Sequence, residues 1–188
     1  MMPVEHLMDL KCHPSARAGP VHDIQALVRR SARDELHLTY RLNGDIPQIR
    51  IPSVSAPRMG TQLWQHTCFE AFIAVKGQPA YHEFNFAPSG EWAAYAFLGY
   101  RKPGAQGSEI MPPWIEVRST QSRLELETLV RLDGLSTIHE RASLRLGLSA
   151  VIEASDGLSY WALRHPAERP DFHNADGFVL VLEPPGPE

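Results

Sequence analysis

The run Thr67-Cys68-Phe69-Glu70-Ala71-Phe72-Ile73-Ala74-Val75, followed by Tyr81-His82-Glu83-Phe84-Asn85-Phe86-Ala87-Pro88-Ser89-Gly90-Glu91-Trp92, reads as a β-hairpin entering a third strand. Alternation puts Phe69, Ala71, Ile73 and Val75 on one face of the first strand, and Cys68, Glu70, Phe72 and Ala74 on the other. In the second strand His82, Phe84 and Phe86 share a face; Tyr81, Glu83 and Asn85 share its opposite. The loop Lys76-Gly77-Gln78-Pro79 sets Val75 against Ala80, which predicts Glu70 opposite Asn85, Phe72 opposite Glu83 and Phe69 opposite Phe86. A slip of one residue would mix phenylalanines with Glu83 and Asn85, so the apolar pattern selects this register. Glu70, Glu83 and Asn85 then form a polar cluster, edged by Tyr81 and Phe72, on the face away from the core. Burying a carboxylate without a partner costs several kcal/mol, so a structural partner such as Arg164 or Arg101, or a ligand, is expected opposite the acids. After the turn Ala87–Glu91, the third strand carries Trp92, Tyr95 and Phe97; the turn leaves open whether Trp92 or Tyr95 joins the Glu70 face.

Outward from this hairpin, short strands recur. They are expected at Met8–Cys12, Ile24–Ser31, Glu35–Leu42, Gln48–Ile51, Cys68–Val75, Tyr81–Phe86 and Trp92–Gly99, then at Trp114–Ser119, Arg123–Leu132, Ser143–Glu153, Leu158–Arg164 and Phe178–Leu182. Turns are marked by Ala32-Arg33-Asp34, Asn43-Gly44-Asp45, Asp133-Gly134 and Asp156-Gly157. The fold class is all-β, an antiparallel two-sheet β-sandwich with little helix, the one helical candidate being Thr137–Ala142. Residues 1–183 read as a single domain and 184–188 as a frayed tail, with a flexible loop over Tyr100–Pro113.

Composition narrows the partners. The 188 residues include 16 prolines, well above the usual share of about 5%, which disfavours long helices. A net charge of -4 offers no basic footprint for nucleic acid. No apolar run approaches a membrane span and the N-terminus has no secretory pattern, which predicts a cytoplasmic protein. The two cysteines, Cys12 and Cys68, fit neither a metal knuckle nor a disulfide framework.

A second unusual segment runs Tyr160-Trp161-Ala162-Leu163-Arg164-His165-Pro166-Ala167-Glu168-Arg169-Pro170-Asp171-Phe172-His173-Asn174. A connection of that length holding His165, Asp171 and His173 points to function. These three side chains, with His66, could ligate a transition metal such as zinc and support a metal-dependent enzyme, although the spacing matches no zinc motif. The alternative is that they tie the loop to its own backbone. Glu70 and Glu83, as diagonal neighbours, are also spaced for a glycosidase acid and base, a chemistry that needs a cleft. Of Trp64, Trp92, Trp114 and Trp161, only Trp64 stands where an exposed indole is expected, in Gln62-Leu63-Trp64-Gln65-His66 before the central strand. No phosphate loop, nucleophile triad or nucleotide fingerprint is present.

Three blocks together carry a family resemblance: Leu63 to Phe72, Glu83 to Trp92, and His165-Pro166 with Pro170-Asp171-Phe172-His173. The chain resembles the bacterial DOMON-like proteins, which are similar to type-9 carbohydrate-binding modules, from about Leu36 to Leu182. The resemblance implies an antiparallel β-sandwich whose relatives bind sugars or haem. Type-9 modules hold sugars on tryptophan platforms with charged and amide side chains, which assigns the polar part of a site to Glu70, Glu83 and Asn85 and a platform to Trp64. Some type-9 modules carry structural calcium, but no Asp-rich calcium loop is visible here. Haem-binding relatives use a methionine with a histidine or lysine; Met59 and Met111 lie in loops, and there is no CxxCH attachment.

The sequence therefore predicts a non-catalytic binding module for a small saccharide or similar polar ligand. Its expected ligand-binding residues are Trp64, His66, Glu70, Glu83, Asn85, Trp92, Tyr95, His165, Asp171 and His173. The metal-dependent enzyme on the His165/Asp171/His173 loop and the haem-binding domain are the alternatives.

Overall fold

The computed structural model describes residues 4–31, 35–53, 56–105, 110–135, 139 and 141–185. Thirteen strands follow in chain order: β1 (Glu5–Cys12), β2 (Val21–Arg30), β3 (Glu35–Gly44), β4 (Arg58–Met59), β5 (Cys68–Val75), β6 (Tyr81–Phe86), β7 (Glu91–Gly99), β8 (Lys102–Pro103), β9 (Trp114–Ser119), β10 (Arg123–Arg131), β11 (Leu144–Ala154), β12 (Gly157–Ala162) and β13 (Leu180–Leu182). They pair in the order β4-β7-β6-β5-β11-β12-β1-β2-β3-β10-β9, with β13 on β11 and β8 on β7. All pairs are antiparallel except β4 with β7. The all-β expectation holds. The two expected sheets are instead two arms of one curled sheet, because β1 pairs with β12 through Lys11 and Cys12 and with β2 through Glu5–Leu10.

The two arms enclose one core. Alternation in β3 and β10 turns Leu36, Leu38, Tyr40, Leu42, Leu124 and Leu126 inward, where they join Phe69, Phe84, Phe86 and Leu148 of the other arm in one buried cluster. Tyr40 crosses between the arms. Its ring lies 5.0 Å from that of Phe69, and its hydroxyl donates to the Glu70 carbonyl at 2.7 Å. The buried phenol thereby satisfies its polar tip.

The central hairpin has the register that the sequence predicts: Phe69 opposite Phe86, Glu70 opposite Asn85, Phe72 opposite Glu83. Other elements differ. Gln48–Ile51 is not a strand; Pro47 opens a 3-10 turn at Ile46–Gln48, and only Ile49 forms an isolated bridge, to Ala154. The two-residue strands β4 and β8 are too short to show any period. The helical candidate Thr137–Ala142, the turn Ala32-Arg33-Asp34 and the end of the tail fall largely outside the described residues. Among the described residues no helix is long and apolar enough to cross a membrane.

Candidate functional site

Strand β5 is buried along seven of its eight residues, on both faces. Its inner face belongs to the common core. Its outer face, shared with β6, β7, β11 and β12, is covered by the loop that returns from β12 to β13. Phe178 stacks on Phe72 at 5.6 Å, and His173 sits against Phe72, Tyr81 and Phe97 with centroids 5.2, 5.9 and 5.0 Å away. Gly147, opposite Phe72, makes this cover possible, because a Cβ there would meet Phe178 Cδ1 at 2.5 Å.

Beside this aromatic cover lies a cavity of about 590 Å³, a volume suited to a small ligand. Glu70 and Glu83 face it from β5 and β6, and Tyr95 and Phe97 face it from β7. Val151, Leu158 and Tyr160 of β11 and β12 complete the floor; Trp64, Arg101, Phe172 and His173 stand at its walls. The β6–β7 register opposes Glu83 to Tyr95 and Phe86 to Trp92. Tyr95 therefore joins the Glu70 face, whereas Trp92 turns into the core and is 4% exposed. Trp92 is not a site residue, because the turn after Phe86 returns the chain with Trp92 on the phenylalanine side.

Trp64 has the exposed position that its sequence context predicts. It sits in the 3-10 turn Leu63–Gln65, 41% exposed, its ring edge-on to Tyr95 at 6.1 Å. Gln62, which precedes that turn, has φ 56, and Arg101 has φ 49. These are the two described non-glycine residues in the left-handed region; Arg101 lines the cavity, and Gln62 precedes the turn that carries Trp64.

The polar groups form a chain of hydrogen bonds. The Arg101 backbone N–H donates to the Tyr81 hydroxyl at 3.2 Å, and that hydroxyl is 2.8 Å from His173 Nδ1. The other ring nitrogen, Nε2, lies 3.5 Å from Glu83 Oε2. Burial and the nearby Arg101 guanidinium lower the His173 pKa to about 4. Asn85 donates to Glu83 Oε1 at 2.8 Å, and Ser149 donates to Glu70 Oε2 at 3.3 Å. Burial, followed by the charge of Glu83, pushes the Glu70 carboxyl well above the usual range, against the Ser149 hydrogen bond. Burial also raises Glu83, opposed by Asn85 and Arg101.

No arginine neutralises Glu70: among the described residues it enters no ion pair, and it is 2% exposed. The expected Arg101 partner binds Asp171 instead, at 2.9 Å, while Tyr100 donates to the other carboxylate oxygen at 2.8 Å. This pins the 170–173 loop to the β7–β8 turn.

The remaining predicted residues are dispersed. His165 Nε2 is 2.7 Å from the Lys11 carbonyl, and its ring meets His13 edge-on at 4.7 Å. Asp171 serves Arg101, and His173 serves Tyr81 and Glu83. His165, Asp171 and His173 therefore do not form a metal set, and no group of three His, Cys, Asp or Glu among the described residues could hold a metal. The ring of His66 also points elsewhere. Its Nδ1 pairs with Glu153 at 2.8 Å, and it lines a separate groove that also contains Met59. Met59 and Met111 are both exposed and neither borders the Glu70 cavity, so they do not fit a haem there.

Sequence reasoning missed Ser149, Phe97, Tyr160 and Phe172. Ser149 carries the same signal as Glu70, a polar residue inside the apolar run Leu144–Ile152, and the two are direct cross-strand partners. Phe97 shares its strand face with Tyr95.

No protein-family model matches the chain, and no curated protein is significantly similar to it. Solved structures are. A candidate carbohydrate-binding protein from Bacteroides uniformis matches with a TM-score of 0.69 at 13% identity, covering 93% of this chain and 84% of that one. A family 9 carbohydrate-binding module from Caldicellulosiruptor kristjanssonii, solved with cellotriose, matches at 0.59 and 8% identity over 96% and 84% of the two chains. The same organism's module with glucose matches at 0.58 and 7% identity over 95% and 86%. At these identities the likeness is one of fold, and the chain has the fold of the family 9 carbohydrate-binding modules.

Proposed function

We propose that this chain is a non-catalytic module that binds a small saccharide-like ligand in the cavity over β5, β6 and β7. The observation that carries the reading is the convergence, in one cavity of about 590 Å³, of an exposed indole with buried carboxylates. Trp64 and Tyr95 offer apolar faces to sugar C–H groups, and Glu70 and Glu83 offer oxygens to hydroxyls. The shared fold with modules solved bound to cellotriose and glucose supports the same reading.

Thermal unfolding against a panel of mono- and disaccharides tests it. A ligand at a hundredfold over its Kd adds about 2.7 kcal/mol, which raises Tm by roughly 5–11 °C at this size. A dose-dependent rise for one sugar class supports the reading. A flat panel contradicts it.

A further inference from the structure

We propose that the ligand of this cavity carries a protonated amine, an amino sugar with a free ammonium group, seated against Glu70 and Glu83. The proposal rests on the saccharide reading above and narrows its ligand class.

It begins from the charges that face the cavity. Glu70 and Glu83 contribute two carboxylates as diagonal neighbours across β5 and β6. Arg101 and His173 are the two basic side chains in the lining. Arg101 is held at 2.9 Å by Asp171, which Tyr100 also binds. His173 Nδ1 is engaged by the Tyr81 hydroxyl at 2.8 Å, and burial lowers the pKa of its ring to about 4. The Arg101 charge reaches Glu83 but is shared with Asp171, and neither basic group pairs with Glu70.

Glu70 is the decisive group. It is 2% exposed yet borders the cavity, and among the described residues its side chain has one hydrogen bond, the 3.3 Å contact from Ser149 to Oε2. Asn85, its cross-strand partner, gives its amide proton to Glu83 instead. A buried carboxylate with one weak neutral donor lacks the partner that such groups ordinarily have. A ligand ammonium brings a full positive charge and three N–H donors, enough to reach both acids. The walls suit the same group. Trp64, Tyr95, Phe97 and Phe172 line the cavity, and aromatic rings attract cations.

The test is isothermal titration at pH 7 of glucosamine, galactosamine and mannosamine against their parent hexoses and N-acetyl forms, with butylamine as a sugar-free amine. One hexosamine is expected to bind at least tenfold tighter than its parent hexose and its N-acetyl form. Glu70→Gln should erase most of that ratio. If Glu70→Gln does not fold, Glu83→Gln provides the second variant, and the wild-type ratio decides by itself. Equal affinity for a hexose and its amine overturns the amine proposal and leaves the saccharide reading intact. Butylamine bound as tightly as any hexosamine supports the amine proposal and removes the saccharide. No binding by any of these compounds overturns both.

Discussion

The two arms of the sheet treat outward-facing glutamates in opposite ways. On β10, Glu125 and Glu127 face solvent beside arginines: Arg41 reaches Glu125 at 2.7 Å, and Arg118 reaches Glu127 at 3.4 Å. On β5 and β6, Glu70 and Glu83 occupy the equivalent outward side, yet they are 2% and 5% exposed and have no arginine ion pair among the described residues. Both arms alternate by the same rule and share one core. The difference is that one outward face is bare and the other is roofed by the β12–β13 loop and bordered by the turn carrying Trp64. A sheet that needed only solubility would resemble the β10 side throughout. The roofed side retains acidic groups whose burial costs stability, and the binding proposal starts from that contrast.

The largest effect should come from the two tryptophans that flank this face. Trp92→Ala, in the core, should cost about 3–5 kcal/mol in a urea melt. Trp64→Ala should cost well under 1 kcal/mol of stability, a scale set by surface positions, while losing ligand affinity. Equal destabilisation by the two variants would break the assignment of Trp92 to the core and Trp64 to the surface.

Next comes Glu70→Gln, which should stabilise the protein at pH 8 by on the order of 1–3 kcal/mol, the scale of a buried group with unmet solvation. The sign follows from proton linkage. The folded carboxyl is raised above its unfolded value near 4.5, so its contribution is most favourable below that pH. It is then lost as pH rises toward the raised value. The advantage of the variant should therefore shrink as pH falls to about 4.5. A variant less stable than wild type at pH 8 would contradict it.

His173 has the opposite slope. Its pKa falls from 6.5 to about 4 on folding, so stability declines as pH drops through that interval. His173→Gln should flatten that part of the pH–stability curve in urea titrations. An unchanged slope would show that the ring is already solvated.

The smallest effect belongs to the bare arm. Glu125→Gln should lower stability by about 0–1 kcal/mol, and added salt should shrink the difference. A loss as large as that of Trp92→Ala would erase the contrast between the arms.

What was legible in the sequence follows the same division. The β5–β6 register could be read because Phe69, Phe84 and Phe86 tolerate only one alignment against Glu70, Glu83 and Asn85. The polar cluster could be read for the same reason. The partner of Tyr95 could not, since Ala87–Gly90 admits more than one turn register. The fate of His165, Asp171 and His173 was also hidden. Closeness along a loop does not set closeness in space, and Lys11, Arg101 and Tyr81, from distant segments, divided the three among themselves. Arg101 looked like a partner for Glu70, but its left-handed backbone and its bond to Asp171 commit it to the loop.

The central claim is that the roofed face binds and the bare face does not. Titration of the sugar giving the largest thermal shift into wild type, Trp64→Ala and Glu125→Gln tests it most directly. The account predicts at least a tenfold weakening in Trp64→Ala and unchanged affinity in Glu125→Gln. Equal affinity in all three proteins, each confirmed folded, would contradict it.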